Sequence, residues 1–164
     1  MNARIYPAIA LVSAIFVVSA SAQERPRFGF GTEMLVSTAD NIGVGFRGRV
    51  SMPLNADFSF AIGGGMAGFV LRGRQDANWV FTPQISAILT LEGVNQAPYL
   101  IGGVGAYIPT GDPTVNRGGP TFHLGVGKVR RLNDTSLFYE VNPALIIEDD
   151  RVDLSLPVRI GVIF

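Results

Sequence analysis

Apolar and polar residues alternate at period two along most of this chain, which points to strands rather than helices. From Ile42 to Met52, Ile42, Val44, Phe46, Val50 and Met52 share one face with Gly48. Gly43, Gly45, Arg47, Arg49 and Ser51 share the other. Successive side chains of a strand point to opposite faces, so this segment has one apolar face and one polar face. In the next clear case, Trp79, Phe81, Ile85, Ala87, Leu89 and Leu91 fall on one face. Thr82, Gln84, Ser86, Thr90 and Glu92 fall on the other, with Val80 and Ile88.

Eight segments of this kind divide the chain: Arg27–Thr38, Ile42–Met52, Asp57–Leu71, Asn78–Glu92, Pro98–Ile108, Thr121–Arg131, Leu137–Glu148 and Leu154–Phe164. Gly63-Gly64-Gly65 and Gly102-Gly103 blur the faces of the third and fifth. Compact turns are expected at Pro53–Ala56, Gly93–Ala97 and Leu132–Ser136. The other connections are Ala39–Asn41, Arg72–Ala77, Pro109–Pro120 and Asp149–Asp153. Turns at one end and mostly longer loops at the other are the pattern of an outer-membrane barrel.

The N-terminus has another character. Arg4 precedes an apolar run from Ile5 to Val18, and Ala20-x-Ala22 follows. A charged start, an apolar core and small residues at a cleavage site make a secretory signal peptide over 1–22. Residues 23–164 would then be a single barrel domain. The competing reading of the run is a membrane-anchoring helix.

Composition narrows the classes. Charged residues are 16% of the chain, below the roughly 25% of a soluble domain. Thirteen basic and thirteen acidic side chains balance, so no basic surplus points to nucleic acid. There is no cysteine for a disulfide, a thiolate metal site or a cysteine nucleophile. No cofactor is expected.

Only helices and closed barrels satisfy every backbone polar group in hydrocarbon. Eight alternating strands fit the barrel; a soluble lipocalin-like carrier would have the same period with its apolar face inward. Polar faces rich in Gly, Ser and Thr favour the membrane form. So do Trp79, Phe81, Tyr99, Tyr107, Phe138 and Tyr139 towards segment ends, read as aromatic girdles. In the last segment Leu156, Val158, Ile160, Val162 and Phe164 alternate up to an aromatic end. This resembles the C-terminal signal that delivers outer-membrane barrels to their assembly machinery. With Pro98–Tyr107, Gly125-Val126-Gly127, Phe138-Tyr139-Glu140 and Leu156–Phe164, the chain resembles the small eight-stranded outer-membrane β-barrels of the outer-membrane protein A and X type. The resemblance implies an all-β, up-and-down transmembrane barrel in the outer membrane of a Gram-negative-type bacterium, in contact with its lipid.

The interior of an eight-stranded barrel is just wide enough for side chains to fill. Buried charges need paired partners, so both signs are expected inside. Arg47, Arg49 and Arg159 are the expected cations, and Glu33, Glu140 and Glu148 the expected acids. Gln84, Asn142 and His123 lie in reach of that network, which plugs the lumen against a wide pore.

Other motifs have plainer readings. Gly43-x-Gly45-x-x-Gly48 and Gly63-x-Gly65-x-x-Gly68 match a dinucleotide fingerprint, but both lie inside alternating strands with no helix after them. His123 is the only histidine, so it cannot build a His-based metal site alone. Lipid A deacylases, another barrel family, carry His-x-Ser with a downstream Glu. His123 and Glu140 match two of those roles, while Gly125 stands at the Ser position. Glu148, Asp149, Asp150 and Asp153 lack the spacing of a calcium loop and read as a solvated loop. The Asn133-Asp134-Thr135 sequon reads as a compact turn.

The leading expectation is therefore a non-catalytic outer-membrane barrel, structural or binding a surface ligand through its loops. A lipid-modifying barrel enzyme, a narrow channel and a soluble periplasmic carrier are the alternatives.

Overall fold

In the computed structural model the alternating segments form antiparallel strands that close into a barrel. The structure describes residues 25–38, 41–69, 78–92, 96–110, 118–148 and 151–164. The proposed signal peptide, all of Arg72–Ala77, and the middle of Pro109–Pro120 lie outside the described residues.

The strands are β1 (Arg27–Ser37), β2 (Asn41–Pro53), β3 (Phe58–Phe69), β4 (Asn78–Thr90), β5 (Gln96–Thr110), β6 (Gly119–Arg131), β7 (Ser136–Val141), β8 (Ala144–Ile147) and β9 (Val152–Ile163). Chain neighbours pair in turn from β1 to β7, β8 pairs with β9, and β1 pairs with β9 in the register Glu33↔Arg159, which closes the sheet.

The seventh segment, expected to be continuous from Leu137 to Glu148, is broken at Asn142-Pro143 into β7 and β8. Proline has no N–H to give to a ladder. Pairing resumes around the break: Asn142 N–H donates to Pro157 O at 3.1 Å, and Leu124 N–H donates to Pro143 O at 3.0 Å. Both halves pair with β6 and β9, so the nine strands run as eight staves. Proline has a second, smaller effect in β4. The β4–β5 ladder omits Thr82 and Pro83 and resumes at Gln84↔Gly105.

Two compact turns are tied at one end of the barrel. Asn55 Oδ1 accepts from Asp57 N–H at 3.0 Å and Phe58 N–H at 2.7 Å. Leu132 N–H donates to Thr135 O at 2.8 Å, so the sequon lies in a tight turn.

The faces follow the sequence period. Leu124, Phe28, Ile62, Val44 and Phe122 point outward and are more than half exposed. Glu33, Arg47, Glu140 and Arg159 point inward and are buried. The polarity is that of a soluble barrel turned inside out, which removes the lipocalin-like arrangement.

Three of the six aromatics read as girdle residues are instead luminal: Tyr99, Tyr107 and Phe138 are each 2% exposed. Their parity decides this. Tyr99 and Tyr107 share a face with buried Ile101, and Phe138 shares one with Glu140. Trp79, Phe81 and Tyr139 do face outward.

The lumen is layered. Leu35, Ala67, Phe69, Val80, Tyr107 and Ile146 form an apolar cluster near the loop end. Ala61, Ile88, Tyr99 and Ile101, with Val129 against them, form another near the turn end. Glu33, Arg47, Arg49, Glu140 and Arg159 lie between these layers, and Glu148 and Asp153 are buried at the loop end.

Candidate functional site: the luminal ion-pair chain

Glu33 on β1 and Glu140 on β7 are the two acids of the luminal centre, and Arg159 on β9 joins them. Its Nε donates to Glu33 Oε2 at 3.0 Å, and its Nη1 donates to Glu140 Oε1. Arg47 Nε donates to the same Glu33 oxygen at 3.2 Å. The far side of Arg47 is held by Thr82, whose carbonyl and hydroxyl oxygens accept from Nη2 at 3.1 and 2.9 Å. Arg49 Nη1 donates to Glu140 Oε2 at 2.8 Å, and the Tyr99 hydroxyl donates to that oxygen at 2.9 Å. Three cations and two anions thus form one chain from Thr82 to Tyr99. Its surplus cation is cushioned by rings: the Arg49 guanidinium carbon lies 4.5 Å from the Phe138 ring centroid and 5.7 Å from that of Tyr99.

Removing ions from water costs several kcal/mol each, and only good geometry with added hydrogen bonds offsets it. Both conditions hold at Glu140, which accepts from two arginines and a tyrosine. Glycine makes the room. A Cβ at Gly65 would lie 2.5 Å from Glu33 Oε1, and one at Gly127 would overlap the Tyr99 ring. This explains the glycine-blurred face of the third segment: where large luminal side chains cross, the opposing residue has none.

Gly127→Ala should therefore destabilise the folded chain by about 1–3 kcal/mol, the usual cost of overpacking. In a Tyr99→Ala background the same substitution should cost little. Urea unfolding of the four chains measures the difference; equal costs in both backgrounds would mean that Gly127 does not serve Tyr99.

The remaining predicted residues occupy other positions. Gln84 is buried and lines two small voids of ≈ 20 Å³ each. Each void has room for about one water. His123 Nε2 lies 3.0 Å from Ser86 Oγ, with both side chains buried. Asn142, at the break in the seventh stave, is 0% exposed, and neither nitrogen nor oxygen of its side-chain amide has a hydrogen-bond partner among the described residues. His123 and Glu140 thus belong to separate groups. A Cβ at Gly125 would lie 2.5 Å from Asn142 Cα, so a serine there would require the backbone to shift.

The acidic loop also differs from its solvated reading. Glu148 and Asp153 are buried and share Arg151, whose Nε lies 2.8 Å from an oxygen of each. The Thr38 hydroxyl donates to Asp153 Oδ1 at 2.8 Å, which ties β1 to β9 at the loop end. Asp149 and Asp150 lie outside the described residues. Among the described residues no group of acids and histidine is placed to hold a metal.

Thr82, Ser86 and Tyr99 are the partners that reading charges alone missed. Parity was the available signal, since each lies on the inward face of its strand. At the turn end the lumen widens into a polar vestibule of ≈ 720 Å³, bordered by Arg27, Arg49, Tyr99, Arg131, Asp134 and Phe164.

A closed eight-stave barrel with an ion-paired interior and an apolar exterior has the fold of the small outer-membrane β-barrels. The chain is similar to Neisserial surface protein A, with a TM-score of 0.69 and 14% identity over 84% of this chain and 95% of that one. It is also similar to Ail, the attachment invasion locus protein of Yersinia pestis (TM-score 0.55, 12% identity, 85% and 97% covered). The outer membrane enzyme PagL has the same fold (TM-score 0.58, 10% identity, 81% and 97% covered). No protein-family model matches the sequence, and no curated protein matches it at significant similarity.

Proposed function

We propose that this chain is an integral barrel of the outer membrane of a Gram-negative-type bacterium, non-catalytic, and structural or ligand-binding through its loops. One observation carries the reading: a closed sheet with its ion pairs inside and an exterior that is apolar but for Lys128 and Arg130 at the foot of β6. Water would not tolerate so large an apolar surface, whereas hydrocarbon requires it. The lengths agree, since strands of roughly nine to eleven tilted residues cross a bilayer. Most staves are at least that long.

By the rule of short periplasmic turns and longer outer loops, the end with Asn55 and Leu132 faces the periplasm. The opposite rim, where β3 ends at Phe69 and β5 at Thr110, then faces outward, and a ligand would be met there. Residues 1–22 act as the export signal. Leu156, Val158, Ile160, Val162 and Phe164, which face outward on the last strand and its end, form the surface offered to the assembly machinery. The deacylase alternative has little to draw on. His123 pairs with Ser86 in a closed lumen, and Glu140 is committed to two arginines and a tyrosine.

Cell fractionation with a heat-modifiability gel tests the proposal. The full chain should appear in the outer-membrane fraction, with a band whose mobility changes on boiling. A soluble periplasmic band with no shift would overturn it.

A further inference from the structure

Among the described residues, the outward faces of the strands carry two charged side chains, Lys128 and Arg130. Both are exposed and both lie on β6, close to the turn that ends it at Arg131. Neither has a hydrogen bond or ion pair with a described residue. Every other charged side chain within the strands faces the lumen or its mouth. Phe122, Leu124 and Val126, the outward residues preceding them on β6, form an exposed apolar column that ends at Lys128.

Two unpaired cations at the foot of such a column are costly in hydrocarbon unless they meet an anion at the interface. The fold places them well for that. Outward residues two apart on a strand are roughly 7 Å apart, so the two cations can reach one phosphate from either side. Lys128 is level with Tyr139 on β7 and Pro98 on β5, and Arg130 is level with Gln96 and Leu137. Tyr139, itself 46% exposed, brings a hydroxyl donor beside Lys128. The apolar stems of lysine and arginine can lie along the barrel while their heads reach the headgroup layer.

We propose that Lys128, Arg130 and Tyr139 form a headgroup site for a net-anionic glycerophospholipid of the periplasmic leaflet, its acyl chain lying along Val126, Leu124 and Phe122. The turn end selects this lipid class, because that end faces the inner leaflet. A zwitterionic headgroup supplies its own ammonium to its phosphate and gains less from two cations. The inference rests on the membrane reading above and on the orientation given there.

The test uses the folded chain in vesicles of phosphatidylethanolamine with a minority of phosphatidylglycerol. Lipid retained after mild detergent extraction is counted by native mass spectrometry. The wild-type chain should retain phosphatidylglycerol in preference to phosphatidylethanolamine. In K128Q/R130Q that preference should fall about tenfold, as expected from losing two interfacial cations, and K128R/R130K should restore it. Inorganic phosphate in excess should not displace the lipid, whose acyl chain contributes much of the binding. Three results would overturn the site: undiminished preference in K128Q/R130Q, displacement by inorganic phosphate alone, or no preference for phosphatidylglycerol in the wild-type chain. The heat-shifted band is checked first for each variant. Its absence in the wild-type chain would remove the membrane reading itself, and the site with it.

Discussion

Replacing Glu140 with glutamine is expected to destabilise the folded barrel by about 3–5 kcal/mol, the usual cost of breaking a buried ion pair from one side. Glu140 is 2% exposed and accepts from Arg49, Arg159 and Tyr99. The amide would leave Arg159 with one anion, Glu33, and Arg49 with none. Urea unfolding in vesicles, followed by the fluorescence of Trp79, the only tryptophan, measures the loss. The double variant E140Q/R49M should lose less than the sum of its single variants, because the second change removes the cation that the first had orphaned. Additive losses, or an unchanged midpoint for E140Q, would show that the luminal chain of ions does not hold the staves together.

Leu124→Arg should have the next largest effect, and of a kind that separates environments. Leu124 is 72% exposed near the middle of β6. On a protein surrounded by water, such a substitution changes stability by no more than about 0.5 kcal/mol. At the midplane of a bilayer it should cost about 2–4 kcal/mol. The same substitution at Leu132, in the turn, should cost far less and serves as the control. Equal, small effects at both positions in vesicles would contradict a lipid-facing exterior.

The strand pattern was legible because the period of a strand is two and each strand here has one face against a packed lumen. A one-residue error would exchange Arg47 with Phe46, so the faces in β2 and β4 could be read without knowing which face was inside. The same rule placed Glu33, Arg47, Glu140 and Arg159 on one side of the sheet. It also held the answer for Tyr99 and Phe138, where residue type was allowed to outweigh parity. The break at Asn142-Pro143 was less accessible. Proline was visible, but whether pairing would resume beyond it depended on the facing carbonyl of Pro157 and the amide of Leu124.

From sequence alone come the alternation, its eight repeats, the charge balance and the one-sided placement of ions. All are local, because side-chain direction along a strand is set by the backbone. Which acid meets which arginine was decided only by the closed barrel. Glu33 and Arg159 are 126 residues apart in the chain and meet because β1 pairs with β9. Closure also decided which face is the interior. The lumen of eight staves has a fixed cross-section, so its glycines, rings and ions must fit one another, while the outer face has no protein neighbour to fit.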